Sequence, residues 1–267
     1  MEFRTVVSLQ KPGFEIEPLE PILFVGSCFA ENIGRRFEEE RFPVVINPYG
    51  VMYNPVSVLH TVQRCDAAPR IAFLTLGTNH VYRLKETGEI VDNCQKRPQR
   101  LFQEEILTVS QCVDTLSQVV ECLRVRNPEV HVVFTVSPIR YAKYGFHESQ
   151  LSKATLLLAV DQVCGLYGHS SVCYFPAYEI VLDELRDYRF YQPDMLHPSQ
   201  QAVEYIWQQL VEYYFSDRAK QFLADWRPIK EALGHRPFHP ESDTYQRFLE
   251  ETKLKEQALL RLYNNKV

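Results

Sequence analysis

The chain reads as an α/β protein: a three-layer αβα sandwich around a five-stranded, mainly parallel sheet, with a C-terminal helical extension. Three observations predict this. Mostly apolar runs at Ile22–Val25, Ile71–Leu76 and Val130–Val136 suit strands covered on both faces. Stretches of helical period separate them, which is the βαβ pattern of a parallel sheet. Several runs stop on turn chemistry: Gly26, Asn47-Pro48-Tyr49-Gly50, Gly77-Thr78-Asn79-His80 and Ser137-Pro138.

In chain order, Thr5–Leu9 is a short strand candidate, followed by a polar lead-in. Ile22–Val25 is the central strand, and Gly26 permits a tight bend where it ends. Glu31 to Glu40 carries Ile33 and Phe37 at helical spacing. Phe42–Ile46 is the second strand. Asn54, as N-cap before Pro55, opens a helix to about Gln63. Ile71–Leu76 is the third strand. Val81–Val91 reads as a hairpin turning at Glu86-Thr87-Gly88-Glu89, and Asn93–Arg100 as a solvated basic loop. Gln103–Arg124 has helical periodicity. Val130–Val136 and Ser171–Phe175 are the fourth and fifth strands, with a helix over Ser149–Val163 between them. A helix from about Ser199 to Tyr214 follows, then a polar, helix-prone tail with Trp226 as its expected anchor. The expected strand order is flavodoxin-like. Residues 1–215 form one domain, and 216–267 a helical extension packed on it.

The composition narrows the function classes. The 267 residues are 45% hydrophobic and 24% charged, with a formal charge of −5. This is a globular composition, and the acidic balance argues against nucleic acid as the main partner. No apolar run is long enough to span a bilayer, and residues 1–5 lack a signal-peptide pattern, so no membrane partner and a cytoplasmic location are expected. Seven scattered cysteines without a Cys-x-x-Cys pair read as reduced thiols. His235 and His239 alone do not make a metal site. No metal is expected.

Four small polar signals fall at the carboxyl ends of strands or just beyond the last one: Ser27, Gly50, Gly77-x-Asn79 and Asp194-x-x-His197. In open α/β sheets that edge is where ligands bind. Ser27 reads either as the N-cap of the following helix or as a nucleophile at a positive helix end. A carboxylate three residues before a histidine can fold back to Nδ1–H and fix the tautomer, leaving Nε2 as a base for Ser27 Oγ. Donors to an oxyanion would be the Ser27 N–H, the Gly50 N–H and the Asn79 amide. A glycine suits the second place where backbone must approach a ligand. Cys28, at the helix start, is a rival nucleophile. Arg140 either clamps an anionic substrate group or pairs with the acidic stretch Asp183–Asp187. Arg186 and Arg189 hold that stretch in place. Tyr191 and the residues to His197 are placed to wall the pocket. His80 reads as a surface or loop residue.

Ser27, Gly50, Gly77-x-Asn79 and Asp194-x-x-His197, in this order, resemble the four blocks of the SGNH (GDSL-like) hydrolases. Gly26-Ser27-Cys28-Phe29-Ala30 is similar to the signature that names the GSCFA family within that superfamily. Asn47–Gly50, Asn93–Pro98, Thr135–Arg140 and Asp183–His197 resemble the same family, over about residues 15–215. The resemblance implies an SGNH fold for residues 1–215, no required cofactor, and hydrolysis of a small-molecule or carbohydrate ester by a Ser27–His197–Asp194 triad. Acyl transfer and a non-catalytic binding module on the same fold are the alternatives. Two departures stand out. The link from about His60 to Arg70 is shorter than the family pattern, which could open or remodel the cleft. His80 stands where the superfamily more often has Asp.

Overall fold

The computed structural model describes residues 4–94 and 97–264. Five parallel strands make the main sheet: β1 (Ile22–Gly26), β2 (Val44–Ile46), β3 (Ile71–Leu76), β7 (His131–Val136) and β8 (Val172–Tyr174), in the order β2-β1-β3-β7-β8. Counting only these strands, this is the expected flavodoxin-like order. Phe24 pairs with Ile46 on one side and with Phe73 on the other, which fixes β1 at the centre of the register.

Successive strand residues point to opposite faces, so β1 feeds two cores. Ile22 and Phe24 pack with Ile33 and Phe37 of α1 (Cys28–Glu39) and with Ile206 and Trp207 of α6 (Gln200–Tyr214). Leu23 and Val25 pack with Val58 of α2 (Pro55–Arg64), Leu116 of α3 (Val109–Arg126) and Val160 of α4 (Phe146–Tyr167). The Phe24 ring lies stacked on Phe73 at 5.1 Å and is fully buried. This two-sided burial is why the strand is apolar throughout.

The chain departs from the sequence reading in four places. Thr5–Leu9 forms no strand; the Val7 N–H donates instead to Glu184 Oε2 at 3.1 Å. Phe102–Ile106 is not helical but a strand, β6, in a second, three-stranded antiparallel sheet with β4 (His80–Leu84) and β5 (Ile90–Val91). The helix behind it starts only at Val109, where the Thr108 hydroxyl accepts from Gln111 N. His80 is buried at 6% exposure, stacked on Tyr144 at 4.0 Å with Nδ1 3.0 Å from Glu104 Oε1. Finally, the short link at 65–70 joins the end of α2 to the start of β3, where Arg70 N donates to Pro21 O just before β1. It lies at the amino ends of the strands, so its shortness does not remodel a cleft at their carboxyl ends. In the basic loop, Lys96 falls outside the described residues, while Arg97 lies over the Phe102 ring at 4.9 Å.

Past α6 the chain continues as α7 (Asp217–Leu233) and α8 (Asp243–Asn264). Trp226 is 1% exposed and its Nε1 donates to Glu39 O at 3.1 Å, which ties α7 to the end of α1. Tyr263 Oη, near the end of α8, donates to Asp225 of α7 at 2.7 Å. The short helix α5 (Ala177–Glu179) runs into a π-helical turn at Ile180–Leu185 and leads to the loop before α6. Among the described residues no helix is long and apolar enough to cross a membrane.

Candidate active site

Ser27 sits where β1 gives way to α1. Its backbone is extended and its Oγ accepts from Phe29 N at 3.2 Å, so it is the N-cap of α1. Capping does not use the hydroxyl proton. That proton goes to Ser137 Oγ, 3.0 Å away at the end of β7, and both serines are buried. Ser137 Oγ also accepts from Ile139 N at 3.3 Å. Cys28 turns aside: its Sγ lies 3.8 Å from Tyr53 Oη. Burial, with the Cys28 thiol beside it, pushes the Tyr53 phenol up to about 12.

Asp194 and His197 form the expected pair, with Oδ2 2.6 Å from Nδ1. Asp194 Oδ1 accepts from His197 N at 3.0 Å and from Leu196 N at 2.9 Å. These two backbone donors, and then the imidazole, hold the carboxyl down to about 2. The turn is pinned from outside. Arg140 N donates to Leu196 O at 3.0 Å and Arg140 Nη1 to Met195 O at 3.1 Å. Tyr191 bridges to Pro198, and Gln192 N donates to His197 O at 2.7 Å.

The structure therefore builds two halves. Ser27 is held by Ser137, and the His197 turn by Arg140. Ser137 and Arg140 are three residues apart on one segment, whose extended reach is about 11 Å. The halves are not joined: among the described residues, Ser27 Oγ bonds to Ser137 and Phe29, and the His197 ring to Asp194.

The three candidate oxyanion donors lie around the ends of β1 and β3. Ser27 N donates to Thr75 O at 3.2 Å, and Gly50 N to Asn47 O at 2.8 Å within its own turn. Gly50 has φ +91°, and a Cβ there would meet nothing within 4 Å. Its glycine answers to backbone conformation, not to close approach. Asn79 is 2% exposed; Nδ2 gives one N–H to Leu107 O at 2.8 Å and keeps the other. Its Oδ1 is buried without a partner among the described residues.

Lys153, which the sequence reading passed over, lies directly beneath this edge. It is 2% exposed, and its Nζ donates to Gly77 O at 2.7 Å and to Ser137 O at 2.8 Å. It thus ties the end of β3 to the end of β7. The signal was its place on the apolar face of α4, three residues before Leu156 and seven before Val160. Burial pushes its ammonium down to about 7. The unfolded chain then binds the extra proton between about pH 7 and the ordinary lysine range, so this group makes stability rise with pH across that window. Between pH 7 and 8.5, before free thiols ionise, its contribution is at most about 1.4 kcal/mol per pH unit. Chemical denaturation of Lys153→Met across this interval should show that rise removed relative to wild type; parallel curves would contradict a low ammonium pKa.

Among the described residues no group of three or more His, Cys, Asp and Glu side chains could hold a metal ion.

Comparison with known proteins agrees with the architecture. A GDSL-like lipase structure from Parabacteroides merdae superposes with a TM-score of 0.51 at 10% identity, covering 76% of this chain and 99% of that one. A structure described as platelet activating factor from Streptococcus pneumonia gives 0.50 at 16% identity, covering 75% and 85%. A GDSL-like lipase from Bacteroides thetaiotaomicron gives 0.48 at 12%, covering 76% and 90%. At these identities the first two likenesses establish fold. No curated protein matches the sequence. The model of the GSCFA family matches residues 21–70 and 65–210, and that of the GSCFA domain protein, C-terminal domain, matches 226–265. Most of the sequence being matched, this chain belongs to the GSCFA family.

Proposed function

We propose that the protein is a serine hydrolase of the SGNH type that cleaves a small ester, with Ser27 as nucleophile, His197 as base and Asp194 as its orienting carboxylate. The observation that carries this is the Asp194–His197 pair at 2.6 Å, on a turn pinned to the same segment that holds Ser27. With Nδ1 engaged by the carboxylate, Nε2 is the ring nitrogen left to accept a proton. Rotation of the Ser27 side chain from Ser137 toward His197 would complete the triad, and catalytic hydrogen bonds are often formed only in the complex. Oγ then attacks the ester carbonyl and its proton passes to Nε2. The alkoxide leaves with that proton, and water repeats the sequence on the acyl-enzyme. The second Asn79 N–H, with the Ser27 and Gly50 N–H groups released from their carbonyls, would face the oxyanion. An acylated carbohydrate is one substrate class this reading admits, and transfer to an alcohol differs only in the acceptor. The reading requires no cofactor.

A second reading, a binding module on the same fold, is favoured by one observation: the Ser27 proton points at Ser137 and not at an imidazole. Labelling with a fluorophosphonate probe decides between them. The expected result is stoichiometric labelling of Ser27, lost in Ser27→Ala and slowed at least about a hundredfold in His197→Ala. A well-folded wild type that takes no label would favour the binding module.

A further inference from the structure

Beside the His197 turn lies a cavity of about 240 Å³ whose walls include Arg140, Leu182, Arg186, Asp187, Tyr188 and Tyr191. Its electrostatics are unbalanced: two guanidinium groups face one carboxylate. Arg186 is partly answered by Asp183 at 3.7 Å, and Asp187 Oδ1 is taken by Arg189 N at 2.8 Å. Arg140 is not answered. The sequence left open a salt bridge from Arg140 to Asp183–Asp187. Among the described residues no such bridge is present, and no carboxylate oxygen lies within 4 Å of this guanidinium.

What Arg140 has instead is a mount. Its guanidinium lies 4.1 Å from the Phe146 ring centroid and 5.6 Å from that of Tyr191, and one Nη1–H goes to the Met195 carbonyl. Ring faces and a neutral carbonyl fix the group without neutralising it. Its remaining N–H donors form a fork of the kind that matches carboxylate or phosphate oxygens. A ligand anion would supply the counter-charge that the protein does not. This solvent-open depression has room for an acid group on a short carbon chain.

We propose that this cavity is the acid-group subsite of the active site. It takes a carboxylate or phosphate on an ester whose carbonyl lies at Ser27, so the substrate is a small anionic ester. This rests on the hydrolase reading above, and the test separates the two.

The esters for the test are p-nitrophenyl hemisuccinate and p-nitrophenyl butyrate, similar in length and differing in the terminal charge. Wild type is expected to prefer the hemisuccinate at least tenfold in kcat/KM, mostly through KM. In Arg140→Gln that ratio should fall at least tenfold, and Arg140→Lys should restore part of it. If Arg140 only props the Met195 turn, its loss lowers both esters together and the ratio stays put, which would overturn the proposal. A second arm needs no turnover: calorimetric titration with succinate, inorganic phosphate and neutral 1,4-butanediol at low salt. Arg140-dependent binding of either anion, with the diol ignored, supports the subsite even if neither ester is cleaved, in which case the hydrolase reading alone fails. Cleavage of both esters without charge preference, and no anion binding, leaves the hydrolase and removes the subsite. Tighter binding of succinate than of phosphate assigns a carboxylate, and the reverse order a phosphate.

Discussion

His197→Ala is expected to lower kcat/KM for a small ester by at least about a thousandfold, with the melting temperature held within about 2 °C of wild type. The two halves of this expectation have different causes. On the proposed mechanism the imidazole is the general base, so its removal takes away both activation of Ser27 and protonation of the leaving group. Its side chain is 36% exposed, and the turn is kept by backbone donors to Asp194 Oδ1 that alanine retains. Asp194→Asn should come close to the same loss by another route. An amide N–H facing Nδ1 would force that nitrogen to accept, placing the ring proton on Nε2, where no base is left. Asp194 has its folded-state pKa lowered to about 2, so its charge is present at higher pH and is lost only as pH falls through about 2. The wild-type pH–rate profile should therefore show no carboxylate limb from Asp194 between pH 3 and 5. A His197→Ala enzyme within tenfold of wild type would sink the assignment.

The centre of the sheet was legible because β1, β3 and β7 are buried on both faces for nearly their whole length, which leaves mostly apolar runs. Phe102–Ile106 escaped for the opposite reason. It is a strand of a small second sheet with Gln103, Glu104 and Ile106 exposed, and its residues merge in period with the helix behind. Thr5–Leu9 has strand-like composition, yet Val7 finds a Glu184 carboxylate in place of a neighbouring strand. At the site, short-range geometry was readable. A three-residue spacing lets Asp194 reach His197 within one turn, a contact that local backbone can close. Long-range choices were not readable. Which way Ser27 Oγ turns depends on Ser137, 110 residues on, and that serine is itself fixed through the carbonyl held by Lys153. A buried lysine leaves only a faint trace in a sequence, one cation on a buried helix face that also carries Ser149 and Ser152, and its two acceptors are backbone atoms with no code at all.

Gly26→Ala is expected to lower stability by about 3 kcal/mol or more, a fall of about 6–12 °C in melting temperature for a chain of this size, and to abolish fluorophosphonate labelling. Gly26 has φ +142°, a region closed to L side chains, and an added Cβ would stand 2.1 Å from Thr75 O and 2.8 Å from Thr75 N. The obstacle is backbone of the neighbouring strand, so it cannot swing away; β1 and β3 must separate at their carboxyl ends. That is where the damage reaches function. Gly26 N donates to Asn47 Oδ1 at 2.8 Å, Gly26 O accepts from Met52 N at 2.9 Å, and Ser27 N donates to Thr75 O at 3.2 Å. One displaced peptide therefore shifts Ser27, the turn that carries Gly50 and the strand that leads to Asn79. Gly50→Ala is the matched control. It shares the positive φ but meets open space, so it should cost only the conformational strain, about 1–2 kcal/mol. Equal losses in the two variants would mean that backbone conformation alone makes Gly26 necessary. A clearly larger loss at Gly26 would identify the tight β1–β3 contact as what sets Ser27 in place.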